Sequence, residues 1–166
     1  HSGQDLTYFE EATKERYIPY VIEPSCGVER VFLACLCDAY TEIEGGRTTT
    51  TESIKETEFL LKLDKKIAPF KVAVLPLVKN KENITDKAKE VYNLLKNQFA
   101  TQYDEVGAIG RRYRRHDEIG TPYAITIDFE TLEDNAVTLR DRDTMEQKRI
   151  KIEDLISILK KDIYEN

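Results

Sequence analysis

Apolar positions change period from segment to segment along the chain, and most clearly beyond residue 66. Residues 70–78 form a near-continuous apolar run of strand length, which predicts a strand covered on both faces. Ile84, Ala88, Val91, Tyr92, Leu95 and Phe99 then fall on one helical stripe, with Asn83 or Thr85-Asp86 as candidate caps. A short strand is expected near Gln102-Tyr103-Asp104, followed by a basic helix over about 108–118. Gly120 suits the position just past that helix, and Pro122 stops its continuation. Residues 123–129 alternate as a strand, and 137–140 and 148–152 flank Asp141-Arg142-Asp143-Thr144 as a hairpin. An amphipathic helix over 153–164 closes the chain. Strands alternating with helices predict an α/β domain of three layers, α/β/α, with a mixed sheet.

The first part reads as strand, turn and helix. Tyr17-Ile18-Pro19-Tyr20-Val21-Ile22 is β-branched and aromatic, with Pro19 favouring an edge or early strand position. Glu23-Pro24-Ser25-Cys26-Gly27 is turn chemistry. Val28, Val31, Phe32, Cys35 and Ala39 then recur at helical spacing, which predicts a mostly buried helix over 28–40. A polar stretch with Gly45, Gly46 and four consecutive threonines reads as a surface loop over about 44–57, and 53–63 as a helix leading out of it.

Composition narrows the class. The chain has 166 residues, 40% hydrophobic and 34% charged, enough apolar content for a packed core. The longest apolar runs, 31–37 and 72–78, fall far short of the roughly 20 residues a bilayer span needs. The chain opens His1-Ser2-Gly3-Gln4-Asp5, without an initiator Met or the layout of a signal peptide, and is expected to be part of a longer protein. Cys26, Cys35 and Cys37, with only His1 and His116 besides, lack the spacing of a structural zinc site and fit reduced thiols in the cytoplasm.

The net charge of -6 is uneven: residues 1–66 carry 8 Lys/Arg against 13 Asp/Glu, while 67–166 carry 17 against 18. Within the second part the cations concentrate at Arg111, Arg112, Arg114 and Arg115, with Tyr113 interleaved. Guanidiniums suit phosphates and a tyrosine ring suits a base, so this stretch is a candidate nucleic-acid surface. It also reads as a solvated helix face paired with Asp104, Glu105, Asp117 and Glu118. Gly107-Ala108-Ile109-Gly110 before it resembles a KH clamp, but the βαβ run from Phe70 does not fit that fold. Asp141-Arg142-Asp143 lacks the pattern of a calcium loop and is turn chemistry.

Glu23 and Ser25, at the end of the predicted strand, could hydrogen-bond a small amine. Gly27 lets a group approach the backbone, and the Arg30 guanidinium could stack on a flat ring. The same residues also read as a capped helix start, with Ser25 as N-cap and Arg30 pairing with Glu29 or Asp38.

The run from Tyr17 to Arg30 resembles motif 3 of class II aminoacyl-tRNA synthetases, in the form found in the dimeric glycyl-tRNA synthetase family. Ser2-Gly3-Gln4-Asp5-Leu6-Thr7-Tyr8-Phe9 is similar to the segment just before that motif. Ala68-Pro69-Phe70-Lys71-Val72-Ala73-Val74-Leu75-Pro76-Leu77 resembles the first strand of the class IIa anticodon-binding domain, 110–122 its basic helix and turn, and 140–147 its late hairpin.

The resemblance implies two parts: residues 1–66 from the end of a class II catalytic domain, and 67–166 an anticodon-binding domain. It implies that Arg30 and Gly27 belong to an ATP site, that Glu23 and Ser25 receive glycine, and that Arg111, Arg112, Arg114 and Arg115 meet tRNA. The implied parent is a cytoplasmic homodimer that uses ATP with Mg2+ to activate glycine and load tRNA(Gly). Motifs 1 and 2 are missing here, so this stretch alone is expected to be inactive, and the sequence offers no metal ligands. Alternatives are a non-catalytic tRNA-binding accessory module and a prolyl- or threonyl-type synthetase; the Glu-Pro-Ser turn favours glycine.

Overall fold

The computed structural model describes residues 3–46 and 57–165. The chain divides into two compact units, residues 1–32 and 33–166.

In the first unit, β1 (Tyr8–Glu10) pairs antiparallel with β2 (Glu15–Tyr17). Lys14 takes the left-handed conformation at φ 60° and donates its N–H to the Glu10 carbonyl at 2.8 Å, closing the turn. Tyr8 and Tyr17 meet edge to face with ring centroids 5.9 Å apart. The strand expected over 17–22 stops at Tyr17, and 18–27 is irregular. Branched side chains favour a strand only where a neighbour takes up the ladder hydrogen bonds. Pro19 offers no N–H, and among the described residues nothing pairs with 18–22, so Tyr20 and Ile22 stand fully in solvent.

The helix α1 (Val28–Ala39) forms as expected, but it is not mostly buried: Val28 is 79% and Phe32 63% exposed, and Ala39 alone is buried. It opens on Gly27, whose carbonyl accepts the Val31 N–H at 3.1 Å, rather than on Ser25.

In the second unit, β3 (Tyr40–Ile43) pairs antiparallel with β4 (Glu58–Leu61), and Tyr40 stacks on Phe59. This corrects the helix expected over 53–63: within it Glu58–Leu61 is a strand because the β3 partner supplies a ladder, while 53–56 lie outside the described residues.

The remaining strands are β5 (Val72–Pro76), β6 (Thr101–Tyr103), β7 (Tyr123–Ile127), β8 (Ala136–Asp141) and β9 (Gln147–Lys151). They form one sheet in the order β6-β5-β7-β8-β9, parallel across β6, β5 and β7 and antiparallel through β8 and β9. Helices α2 (Glu82–Leu95), α3 (Ile109–Glu118), a short α4 (Thr131–Asp134) and α5 (Leu155–Lys160) complete the fold.

Alternation within the strands decides which helix covers which face. Val72, Val74, Tyr123 and Ile125 pack with Ile84, Ala88, Val91 and Leu95 of α2 and with Leu155 and Leu159 of α5. Each such Leu or Ile contributes about 1.5–3 kcal/mol by leaving water. On the opposite face Ala73, Leu75 and Ala124 meet Ile109 and Tyr113 of α3. The small side chains of Ala73 and Ala124 let α3 lie close. This is the expected three-layer α/β/α arrangement, and both faces of β7 are buried, so the polar face read from its alternation is covered by α3. The expected side-chain cap of α2 does not form: Lys81 holds the N-cap position and makes no side-chain cap bond.

Candidate nucleic-acid interface

Because β5, β6 and β7 run parallel, their C-terminal ends come out along one edge of the sheet. Open α/β sheets present ligand-binding loops at such an edge. Here the loops are 77–81, 104–108 and 128–130, and α2 and α3 begin from the first two.

Arg112 ties this edge together. Its guanidinium, 2% exposed, donates to the Pro76 carbonyl, to the Leu77 carbonyl at 3.2 Å and to the Asp104 carbonyl at 3.3 Å. One cation from α3 thus fixes the ends of both β5 and β6. Burial pushes the guanidinium below its ordinary value, with the Asp104 charge opposing that shift. Arg112 therefore does not face a phosphate; it is spent on backbone carbonyls, which corrects its place among the solvent-facing arginines.

The other three arginines separate. Arg111 is exposed and forms no ion pair among the described residues. Arg115 stays half-exposed while its guanidinium donates to Asp104 Oδ2 at 3.1 and 2.6 Å and to the Val106 carbonyl at 2.9 Å. Burial raises the Asp104 carboxyl, but the Val106 N–H and Arg115 outweigh this and hold it below its ordinary value. Arg114 points away from the edge, donating to the Thr57 carbonyl at 3.0 Å and lying 3.4 Å from Glu118. The block that looks uniform in sequence is thus one buried clamp, two cations beside the edge and one side-chain tether to 57.

The edge also holds polar residues that no sequence motif marks as binding residues. Lys79, Asn80, Lys81 and Asn83 are exposed. A cleft of about 350 Å³ is lined by Asn80, Lys81 and Asn83 on one side and Phe129 and Leu132 on the other. The signal that could have found them is positional: short polar loops directly after predicted parallel strands.

The model of the anticodon binding domain matches residues 71–162. The chain belongs to that family. The matched span contains β5 to β9 and the edge just described.

Over nearly its whole length the chain is similar to parts of longer curated proteins. It is 52% identical over 165 residues to the glycine--tRNA ligase of Clostridium tetani, covering 98% of this chain and 33% of that one. It is 50% identical over 156 residues to that of Rhodopirellula baltica, covering 94% of this chain and 28% of the relative. The chain thus spans about a third of the length of the curated relatives it matches. Among solved structures it resembles a prolyl-tRNA synthetase from Cryptosporidium parvum complexed with halofuginone and AMPPNP, with TM-score 0.59 and 26% identity over 63% of this chain and 23% of that one. It also resembles the RNA binding domain of threonyl-tRNA synthetase from Cryptosporidium parvum Iowa II, with TM-score 0.53 and 27% identity over 59% and 24% of the two chains.

Glu23, Ser25, Gly27 and Arg30 lie in the first unit and are all exposed. Their chemistry suits an amine and a nucleotide, and a Cβ at Gly27 would meet only Glu29 Oε2 at 3.9 Å, leaving room for a ligand. They line none of the clefts described. Among the described residues no group of three His, Cys, Asp or Glu could hold a metal ion, and no helix is long and apolar enough to cross a membrane.

Proposed function

We propose that the second unit binds the anticodon end of tRNA(Gly) on the edge formed by the C-terminal ends of β5, β6 and β7, as part of a glycine–tRNA ligase. The observation that carries this reading is the Arg112 clamp, which holds two of the edge loops rigid beside the exposed cations Arg111, Arg115, Lys79 and Lys81. Rigid loops lose little entropy on binding, and clustered cations draw phosphate despite an overall charge of -6. Arg114 lies at the far side of this surface and contributes less.

Identity of about half to glycine--tRNA ligases over the full chain supports glycine as the amino acid over proline or threonine, whose synthetases resemble it only at 26–27%. In the parent enzyme, a homodimer, residues 67–166 read the tRNA, and residues 1–66 complete the site for glycine and ATP with Mg2+. The glycine carboxylate would take the adenylyl group of ATP, with pyrophosphate leaving, and AMP would then leave when the glycyl group passes to tRNA. Arg30 orients the nucleotide beside Gly27, while the Glu23 carboxylate and Ser25 hydroxyl hold the amine of glycine in place.

Two measurements test the reading. Affinity of the chain for tRNA(Gly) should exceed that for transcripts with substituted anticodon bases, and equal affinity for all of them rejects the anticodon assignment. In the parent enzyme, Glu23→Gln should raise KM for glycine more than for ATP, and Arg30→Ala the reverse. Unchanged Michaelis constants with a lowered Tm would return both residues to a purely structural role.

A further inference from the structure

We propose that Phe129 is a stacking platform for one unpaired base, and that Arg149 is the positioning residue that holds it ready. The proposal rests on reading the C-terminal edge as an RNA surface. Phe129 is 51% exposed at the end of β7, whereas Phe99 and Tyr123 are buried in the core. A phenyl ring left in water invites a flat partner, and a base offers a π-face whatever its identity. The cleft is also lined by Asn80 and Asn83, whose amides can both donate to and accept from a base edge, by Lys81, a cation suited to phosphate, and by Glu82, a carboxylate that can accept from a base amine.

The loop that carries Phe129 is held by two residues, Thr131 and Arg149. Asp128 Oδ1 accepts the Thr131 N–H and the Thr131 hydroxyl, each at 2.9 Å, and the Asp128 N–H donates to Thr131 Oγ1 at 3.1 Å. Arg149 on β9 donates to Asp128 Oδ2 at 2.6 Å and, through Nε and the other terminal nitrogen, to both carboxylate oxygens of Asp134 at 3.1 and 3.0 Å. One guanidinium thus brackets the residues just before Phe129 and at the end of α4. Burial raises the Asp128 carboxyl, but Arg149 and Thr131 outweigh it and hold the carboxyl below its ordinary value. Only the fork of an arginine can bind one carboxylate side-on while reaching a second, so a lysine keeps the charge and loses the clasp.

The test uses the whole chain and an anticodon stem-loop of tRNA(Gly) in which 2-aminopurine replaces each loop base in turn. At one loop position the probe's fluorescence should change on binding through stacking. Phe129→Leu, which keeps an apolar side chain but removes the ring, should abolish that change and weaken binding about tenfold, within the range for a single base–aromatic stack. Arg149→Lys should shrink the change with Phe129 still present, and weaken binding about threefold because the loop must then be ordered on binding. Wild-type signal and affinity in Phe129→Leu would overturn the platform, and in Arg149→Lys the clasp, while leaving the edge as the RNA surface. Failure of the wild-type chain to bind the stem-loop at low salt would overturn the underlying reading and this inference together.

Discussion

Asp117 on α3 and Arg140 on β8 face each other through two parallel hydrogen bonds of 2.9 and 2.8 Å, with side chains only 2% and 4% exposed. The Arg140 guanidinium also lies 4.8 Å from the centre of the Tyr113 ring, and the Tyr113 hydroxyl bonds Thr126 on β7. A buried cation is stable there only while both carboxylate oxygens are opposite it. Arg140→Ala strands the Asp117 charge and should cost about 3–5 kcal/mol in urea unfolding. The double variant with Asp117→Ala should recover part of that loss, and strictly additive losses would show the pair to be uncoupled.

Neighbouring arginines should behave in opposite ways. Arg112→Ala leaves the carbonyls of Pro76, Leu77 and Asp104 without their donor, and should cost about 2–3 kcal/mol of stability. Arg111→Ala touches none of these bonds. It should leave the urea midpoint unchanged and lower the salt dependence of tRNA binding by about one unit. Equal stability of the two variants would remove Arg112 from its clamp.

These two residues show where the sequence stops being informative. The α2 stripe and the apolar β5 run are legible because burial repeats locally at the period of the element. Little local separates Arg112 from Arg111, since two of the three carbonyls that claim Arg112 lie 36 and 35 residues away. The same holds for Arg149, whose partner Asp128 lies 21 residues away, although the Asp128 to Thr131 spacing is a local turn signature. Glu58–Leu61 reads as helix in isolation and becomes a strand because Tyr40–Ile43 pairs with it. Residues 18–22 carry strand chemistry with no ladder partner among the described residues, so propensity alone misleads there. Glu23, Ser25, Gly27 and Arg30, proposed above for glycine and ATP, suggest a site by side-chain chemistry and by resemblance, and none of the clefts among the described residues gathers them.

Gly120 sits just past α3 at φ +83°, and a Cβ there would lie 2.9 Å from Leu63 Cδ1 and 3.1 Å from the Leu61 carbonyl. Gly120→Ala meets both a left-handed backbone and a backbone oxygen that cannot retreat. It should cost about 1–3 kcal/mol, read as a lowered urea midpoint with little change in slope. A wild-type midpoint would mean that β4 shifts freely away from the turn.

Burial pushes the His116 imidazole below its ordinary 6.5, with Asp104 and Asp117 opposing the shift and Arg115 adding to it. Among the described residues neither ring nitrogen has a hydrogen-bond partner, and Nε2 lies 3.6 Å from Asp104 Oδ2. The unfolded chain therefore takes up this proton first, and protons favour unfolding. The contribution of His116 is full above 6.5 and is lost as pH falls from there through the lower folded value. His116→Leu should flatten stability against pH in that window. The separate losses from Asp104 and Asp128, both held below 3.8, should persist at still lower pH. An unaltered profile in the leucine variant would assign the acid sensitivity to other groups.

On the proposed function, RNA meets the chain at a small cationic edge rather than through overall charge. A salt titration of tRNA(Gly) affinity, for the wild-type chain and for the Arg111→Ala/Arg115→Ala double variant, measures this directly. Affinity of the wild type should fall steeply with salt, by about 0.7–0.9 log units per log unit of salt for each neutralised phosphate. The double variant should show a slope flatter by about one to two units with its fold intact. An unchanged slope in the double variant would contradict the account.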